Sequence, residues 1–541
     1  MKDISSTGSF VDFTLENFIY VDKTVYIPQL VKLKRVFISR PRRFGKSLTL
    51  DTIATLFETG VEPYFKGTWI YDKWTEPTYP VLRLNFLDLD KYSLEHFKQK
   101  LNAIISSFAR DINVKNYEEK VEPEDTIYFL LDELRKEKRQ IVILIDEYDC
   151  QMTANINNET LYKQFQEKIK SFYANIKDKF AIKFLGITGV TRLKVVSIFS
   201  VGSDINDITN ASAYSQMIGF TRDEIKKYYI DYLKLASSYE NNCSVDDVTD
   251  TQLESMLDMM AQNYDGYCFD EDYEKKVFST WSVNKFFQTM IEKKKVQFGE
   301  YWYDNGGLPS ILVNYLKTHE LNIFEYLDKD KFLKVSSDDF KNPTALTTIN
   351  QNVLMYQTGY LTLRSDLNKT STVALGIPNG EIYKALNRLL ANNIFKGNTD
   401  ITDDYGRSLL EVGTVDDIIN LFNSALNSVS YDNYPIVSES SVQNMLKLYL
   451  LGAHQEVLSE VHEAKGRADL VVNTDNRRIV FEFKYAKNEA EAKSKLSEAV
   501  EQLKTRDYGN ILPKKNELIR IAAVFNADPK VRAFTENQIV P

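Results

Sequence analysis

The chain has 541 residues, too many for one hydrophobic core, so more than one domain is expected. Apolar content of 43% and charged content of 26% describe a soluble globular protein, and no apolar run reaches the roughly 18 residues that a bilayer span needs. The widely spaced Cys150, Cys243 and Cys268 and four unclustered histidines argue against a zinc site or a disulfide framework and point to a reducing cytoplasm, while the net charge of −9 gives no global nucleic-acid signal.

In chain order, the first landmark follows the apolar run Val36-Phe37-Ile38. Ser39-Arg40-Pro41-Arg42-Arg43-Phe44-Gly45-Lys46-Ser47 leads into Leu48 to Phe57, whose apolar spacing suits a helix. Strand, loop, Gly-Lys-Ser and helix is the context of a phosphate-binding P-loop. Backbone N–H groups of the loop would face the phosphates, Lys46 would add a compact charge, and the Ser47 hydroxyl could ligate Mg2+. Arg40 stands where the pattern G-x-x-x-x-G-K-[ST] has glycine, so a basic turn capping an ordinary helix is the competing reading. Trp69 to Pro80 reads as loop, Val81 to Phe86 alternates like a strand, and helices are expected around 92–110 and 124–138.

Ile141-Val142-Ile143-Leu144-Ile145 reads as a buried parallel strand, and Asp146-Glu147-Tyr148-Asp149 follows it. Carboxylates at the C-terminal end of such a strand sit where open α/β sheets bind ligands. This has the form of a Walker B element, with Asp146 on Mg2+ and Glu147 on the attacking water. Alone it would read equally as a strand ending in an acidic turn; the upstream P-loop favours the first. A further strand from Phe180 ends in Thr188-Gly189-Val190-Thr191-Arg192. Thr188 and Arg192 are candidate sensors of a γ-phosphate, or parts of a strand-end turn.

From about 220 the pattern turns helical, opening on Thr221 as an N-cap. Turns are expected at Tyr264–Phe269, Asp304–Pro309 and Ile377–Gly380, a strand at Gly359–Leu363, and a polar loop at Asp400–Arg407. Asn427 to Ser438 is the best linker to a last domain, in which basic and acidic side chains balance.

That last domain carries a second constellation. Glu439 to Ala453 has helical spacing and Gln455 to His462 alternates. Gly466–Asn473 and Arg478–Tyr485 read as paired strands. A two-residue turn at Asp475-Asn476 would pair Thr474 with Arg477 and set Asp469 opposite Glu482, with Lys484 on the same face. Two carboxylates and a lysine can support metal-dependent hydrolysis of a phosphodiester. An exposed salt-bridged hairpin is the plain alternative. The order of elements, completed by a helix at Glu489–Thr505 and a strand at Leu518–Phe525, favours a nuclease fold.

With these motifs in view, the chain resembles a bacterial family of AAA-ATPase-like proteins that end in a PD-(D/E)XK nuclease domain. The resemblance rests on Val21-Asp22-Lys23-Thr24, Arg40 to Ser47, Leu144 to Asp149, Thr188 to Arg192, Tyr264-Asp265-Gly266-Tyr267, Tyr356-Gln357-Thr358-Gly359-Tyr360-Leu361 and Gly466 to Lys484. It implies an α/β protein: a P-loop NTPase core with a mostly parallel sheet (1–219), a helical lid and middle region (220–426), and a restriction-endonuclease-like α/β domain (427–541). By resemblance Arg40 is the family's own variant of the loop. The residues Arg40, Pro41, Arg42, Arg43, Phe44, Gly45, Lys46, Ser47 and Leu48, with Asp146, Thr188 and Arg192, are then expected at ATP, and Ser47 and Asp146 at its Mg2+. Glu147, Asp469, Glu482 and Lys484 are the expected catalytic residues. Asp469 and Glu482 are also expected metal ligands. Glu439 is an implied further ligand, and Gln502 matches a glutamine that some nucleases of this fold place near the site.

Two functions are expected from this. One is an ATP-binding and ATP-hydrolysing protein whose nucleotide state regulates a Mg2+-dependent nuclease, acting on DNA in preference to RNA. The other is a nucleotide-dependent switch or scaffold whose nuclease fold only binds nucleic acid or a protein partner. Both place the chain in the cytoplasm, off the membrane, with a homo-oligomer compatible with either.

Overall fold

Five short apolar segments supply the strands of the N-terminal sheet: β1 (Arg35–Ser39), β2 (Val81–Asn85), β3 (Ile141–Asp146), β4 (Ile182–Gly189) and β5 (Asn206–Asp207). In the computed structural model, which describes residues 1–176, 180–193, 205–304, 310–316, 319, 325–343, 345–369, 371–395, 406–453, 455–463, 466–506, 508–509, 515 and 517–541, all five pair in parallel in the order β2-β3-β4-β1-β5. Parallel strands covered on both faces need no polar alternation. Accordingly every residue of β1, and the first five of β3, are buried. The register sets Ser39 level with Gly189 and Ile145 level with Ile187, so the C-terminal ends of β1, β4 and β3 lie side by side. The helix Lys46–Thr59 follows β1, and Leu94–Asp111 and Pro123–Lys136 fall where the apolar spacing expected helices.

Thr221 caps the helix Arg222–Tyr228 through a capping box with Glu224. This and the helices Ile230–Asn241, Asp250–Tyr264 and Thr280–Lys293 enclose a core that includes Ile225, Tyr229, Leu233, Met256, Met260, Phe286 and Phe287. Ile19 and Val21 of the N-terminal segment pack into the same core. Lys23 reaches Gln216 O at 2.8 Å and Glu224 Oε2 at 2.6 Å, which gives the Val21–Thr24 motif a structural role. A small antiparallel sheet of β6 (Leu333–Ser336), β7 (Thr362–Leu363) and β8 (Thr372–Gly376) runs in the order β6-β8-β7; the strand expected at Gly359–Leu363 supplies β7, and the other two were not read from the sequence. Gly359 is not in a strand; it ends the helix Gln351–Thr358 at φ +91°, with Tyr360 and Leu361 leading into β7.

Met1–His319 and Phe332–Ile382 form one compact unit; Glu320–Lys331 and Tyr383–Pro541 form a second. The second holds β9 (Glu456–Glu463), β10 (Gly466–Asn473), β11 (Arg477–Ala486), β12 (Glu517–Asn526) and β13 (Ala533–Val540) in the order β13-β12-β11-β10-β9. Only β11 and β12 are parallel, and the helix Glu489–Arg506 makes the crossover that a parallel pair requires. Its Ala499, Val500 and Leu503 pack with Val471, Val480 and Ala522 of the sheet. The expected turn at 305–309 and most of the loop expected at 400–407 lie outside the described residues. Among the described residues no helix is long and apolar enough to cross a membrane.

Candidate functional sites

The loop after β1 turns through Arg43 and Gly45, both at positive φ (+68° and +100°), and delivers Lys46 as the first residue of its helix. Lys46 Nζ is buried and donates to the carbonyls of Arg40 (3.0 Å) and Pro41 (3.1 Å), with Glu147 Oε1 at 3.9 Å. Because β4 lies between β1 and β3, Asp146 is held from two sides. Ser47 Oγ donates to its Oδ2 at 2.6 Å and Thr188 Oγ1 donates to its Oδ1. Glu147 adopts a left-handed backbone at φ +51°. Burial raises its pKa, Lys46 opposes that rise, and Asp149 and Asp146 add to it.

A cavity of about 350 Å³ opens on this cluster. Arg42, Gly45, Lys46, Ser47 and Glu147 line one part, and Ile19, Val21, Ile218 and Phe220 give it an apolar wall. The side chains of the expected loop divide sharply. Arg42 faces the cavity. Arg40 does not: it is 1% exposed, donates to Ser39 O and Thr209 O, and lies 4.3 Å over the Phe269 ring. Burial lowers the pKa of this guanidinium, which still stays protonated at neutral pH. Only the Arg40 carbonyl meets Lys46. Arg43 donates to the carbonyls of Tyr301 and Trp302, both at 2.8 Å, although its residue also lines the cavity. Phe44 is buried edge-on against Tyr267, Phe269 and Trp302. Pro41 packs on Gly359, where a Cβ would lie 2.9 Å from Pro41 and Trp302. The Tyr264–Tyr267 and Tyr356–Leu361 motifs are therefore the platform on which the loop is seated. Leu48 lines the cavity. Arg192 is turned into an ion pair with Asp207 at 2.6 Å, and exchanges two hydrogen bonds between its backbone and the Gln357 amide.

In the second unit the hairpin has the register expected of a two-residue turn. Thr474 N donates to Arg477 O at 2.9 Å, and Asn473 to Leu470 pair with Arg478 to Phe481. One step further, where regular pairing stops, Asp469 Oδ2 accepts from Phe483 N at 2.8 Å. Lys484 Nζ lies 2.9 Å from Glu482 Oε1 and 3.3 Å from Glu439 Oε1. Glu439 is the first residue of the helix Glu439–Gly452, capped by Ser438. Asp469, Glu482, Lys484 and Glu439 thus come together.

The electrostatics are those of a crowded acidic site. Burial, then the neighbouring Asp469, pushes the Glu482 carboxyl up to about 7. Burial also raises Asp469, against the Phe483 N–H. Burial draws the Lys484 ammonium down, but Glu482, Glu439 and Asp469 outweigh it and leave it raised. Glu482 is 0% exposed, and its Oε2 is buried with no hydrogen-bond partner among the described residues. A fully buried carboxylate oxygen without a donor fits a hard cation, and so do the oxygens of Asp469. Among the described residues, however, no group of three or more Asp, Glu, His or Cys side chains has metal-holding geometry. Lys484 sits between Glu439 and Glu482, where a third ligand would have to close.

Residues 5–199 match the family described as "Predicted AAA-ATPase", and residues 437–535 match the "PD-(D/E)XK nuclease superfamily". The chain joins an AAA-ATPase-like module to a PD-(D/E)XK module. It is similar, at 26% identity over 532 residues, to an "uncharacterized protein in vnfD 5′ region" of Azotobacter chroococcum mcd 1, a match that covers 95% of this chain and 94% of that one. Among solved structures, a Walker-type ATPase of Pyrococcus abyssi matches with a TM-score of 0.36 at 11% identity, covering 67% of this chain and 94% of that chain. Cdc6p of Pyrobaculum aerophilum matches with a TM-score of 0.25 at 11% identity, covering 68% and 91%.

Two residues of these modules escaped the sequence reading. In the AAA-ATPase-like module, Asp149 is buried and accepts from Thr191 N (2.7 Å) and Thr191 Oγ1 (2.6 Å), so the acid three residues after Asp146 fixes the turn after Thr188. In the PD-(D/E)XK module, Gln443 hydrogen-bonds Asp469. It stands four residues after Glu439, hence on the same helix face, which is a signal the sequence did carry. Gln502 is half-buried on the crossover helix, and its amide makes no hydrogen bond among the described residues.

Proposed function

We propose that this chain binds and hydrolyses ATP in its AAA-ATPase-like module, and that nucleotide state regulates metal-dependent cleavage of nucleic acid, DNA in preference to RNA, in its PD-(D/E)XK module. The observation that carries the reading is the orphaned Glu482 oxygen, buried beside Asp469 and Lys484, in a chain that also presents Lys46 to a cavity.

At the first site Lys46 exchanges the Arg40 and Pro41 carbonyls for phosphate oxygens, and the loop's backbone N–H groups orient them. Ser47 and Asp146 would hold Mg2+, with Thr188 fixing the Asp146 carboxylate. Glu147 in its ionised form, its proton affinity raised by burial, accepts a proton from the attacking water as the water oxygen bonds to the γ-phosphorus and the bond from that phosphorus to the β-phosphate oxygen breaks. The apolar wall of Ile19, Val21, Ile218 and Phe220 suits a nucleoside base. At the second site Asp469 and Glu482 would hold the cation, which when bound polarises the scissile phosphate and acidifies water. Lys484 stabilises charge as it develops on the phosphate, and the Phe483 N–H and Gln443 hold Asp469 in place.

A panel of single- and double-stranded DNA and RNA with Mg2+ or Mn2+, with and without ATP, tests the reading in wild type, Lys46→Ala and Lys484→Ala. Lys484→Ala should lose cleavage and keep ATP hydrolysis. Lys46→Ala should lose nucleotide binding together with the ATP-dependent part of cleavage. A wild-type protein that leaves every substrate intact refutes it. The second reading, a nucleotide switch whose nuclease fold only binds, is favoured by the position of Lys484 between Glu439 and Glu482; nucleotide-dependent binding without cleavage is its signature.

A further inference from the structure

The AAA-ATPase-like module has a second cavity, of about 740 Å³, at the opposite end of its sheet. Arg35 opens β1 and Ile182 opens β4, so the cavity lies at the N-terminal ends of the strands. The loop with Lys46 leaves the C-terminal end of β1, five residues and roughly 15 Å away at about 3.3 Å per residue. Among the described residues its lining is strongly basic: Lys32, Lys34, Lys73 and Lys183, with the buried Arg35 behind them, stand against one acid, Glu76. Glu76 is engaged by Lys183 at 2.7 Å, and Lys73 pairs with Asp72. Lys32 and Lys34 are exposed, and neither forms an ion pair among the described residues. The C-terminus of the helix Ile27–Leu33 favours cations, which accounts for Lys32 but not for the convergence of Lys73 and Lys183 from two other segments.

Two aromatic rings lie in the same lining. Phe180 is 63% exposed, and Trp74 is half-buried, its indole N–H buried and without a partner among the described residues. Cations beside accessible aromatic faces are what single-stranded nucleic acid selects, because phosphates meet the cations while bases of any identity stack on the rings. A purely phosphate-binding site has no use for an exposed phenyl group.

We propose that this cavity binds a single strand of nucleic acid, with the exposed Lys32 and Lys34 on its phosphates and Phe180 and Trp74 as stacking faces. This contact lies outside both sites described above and requires neither ATP hydrolysis nor cleavage.

The test uses the full chain carrying Asp469→Asn, in EDTA, so that no cleavage occurs and the PD-(D/E)XK module is the same in every sample. A fluorescent single-stranded oligonucleotide is titrated by anisotropy across a salt series, and ultraviolet crosslinks are mapped by peptide mass spectrometry. Lys32→Glu with Lys34→Glu, both at exposed positions, should weaken binding at least about tenfold and reduce the salt slope by about 1.4, at roughly 0.7 for each single-strand phosphate contact. Phe180→Ala should weaken the oligonucleotide but not an abasic strand of the same length. Crosslinks should fall on the peptides holding Trp74 or Phe180. Unchanged affinity and salt slope in the double variant overturn the proposal, as does equal binding of inorganic tripolyphosphate per phosphate. Loss of cleavage in Lys484→Ala leaves it untouched, so the two readings fail separately.

Discussion

Glu482→Gln separates a metal-ready carboxylate from a structural one. The glutamine keeps the shape and removes the charge from a residue that is 0% exposed. The wild-type carboxyl is raised from 4.5 to about 7, first by burial and then by Asp469. At about 1.4 kcal/mol for each tenfold change in proton affinity, this corresponds to about 3 kcal/mol of native-state destabilisation once the group is charged. The native state keeps this proton where the unfolded chain has lost it. The contribution of Glu482 to stability is therefore full below about 4.5, falls as pH rises to about 7, and is flat above. In EDTA at pH 8 the variant should be the more stable by up to about 3 kcal/mol, and the difference should vanish near pH 4.5. Asp469, Glu439 and Lys484 face the same group and are common to both proteins. Urea unfolding followed by hydrogen exchange in the peptides of β10 and β11 localises the effect. Mg2+ should stabilise the wild type at pH 8 and do little for the variant. A variant that is less stable at pH 8, or a difference that ignores pH, would refute the reasoning and make Glu482 a structural partner of Lys484.

Other outcomes follow from the same coordinates. Arg40→Gly, which restores the usual P-loop residue, should lower the stability of the first unit by about 2–4 kcal/mol in denaturant titrations, because it removes a buried side chain from Phe269 and Thr209. Gly189→Ala should unfold at lower temperature and weaken ATP-analogue binding, since its Cβ would collide with the Tyr148 ring and lie 2.7 Å from Asp149 Oδ1. Glu381, buried and bonded to Ser282 Oγ and Trp302 N, is pushed up to about 8 by burial. Glu381→Gln should therefore flatten the fall in stability of the first unit between about pH 4.5 and 8, measured by thermal melts across that range. Gln443→Leu should reduce cleavage while leaving ATP hydrolysis unchanged in a steady-state assay.

The sequence was most legible where one local rule settles the structure. β3 is a continuous apolar run because both its faces are covered, and the hairpin register follows from the length of its turn. Thr221 and Glu224 announce their helix by a capping box. Legibility ended where partners are distant. Nothing near Arg40 in the chain says that its side chain belongs to Phe269, and Arg192 reads as a free sensor until Asp207 and Gln357 come beside it. β13 escaped because an edge strand keeps polar residues such as Glu536 and Asn537, and β6 and β8 went unread, whereas β7 falls at the end of the strand expected at Gly359–Leu363. The basic cavity was hard to see because its cations are scattered: Lys32, Lys34 and Arg35 are neighbours in sequence, but Lys73 and Lys183 join them from two distant segments of an acidic chain.

The seating of Pro41 and Phe44 on Gly359, Tyr267, Phe269 and Trp302 bears on how this protein can be divided. Cutting the chain after residue 219 would preserve every residue expected to touch phosphate and strip away the surface that holds the loop in shape. Such a fragment would display a phenyl ring and a proline to water beside Lys46, and would be expected to aggregate or to bind nucleotide weakly. Its inertness would then say nothing about catalysis. For cloning, domain exchange or comparison of relatives, the smallest meaningful nucleotide module extends through Ile382, although nearly half of that length lies beyond the strands and loops that carry the chemistry.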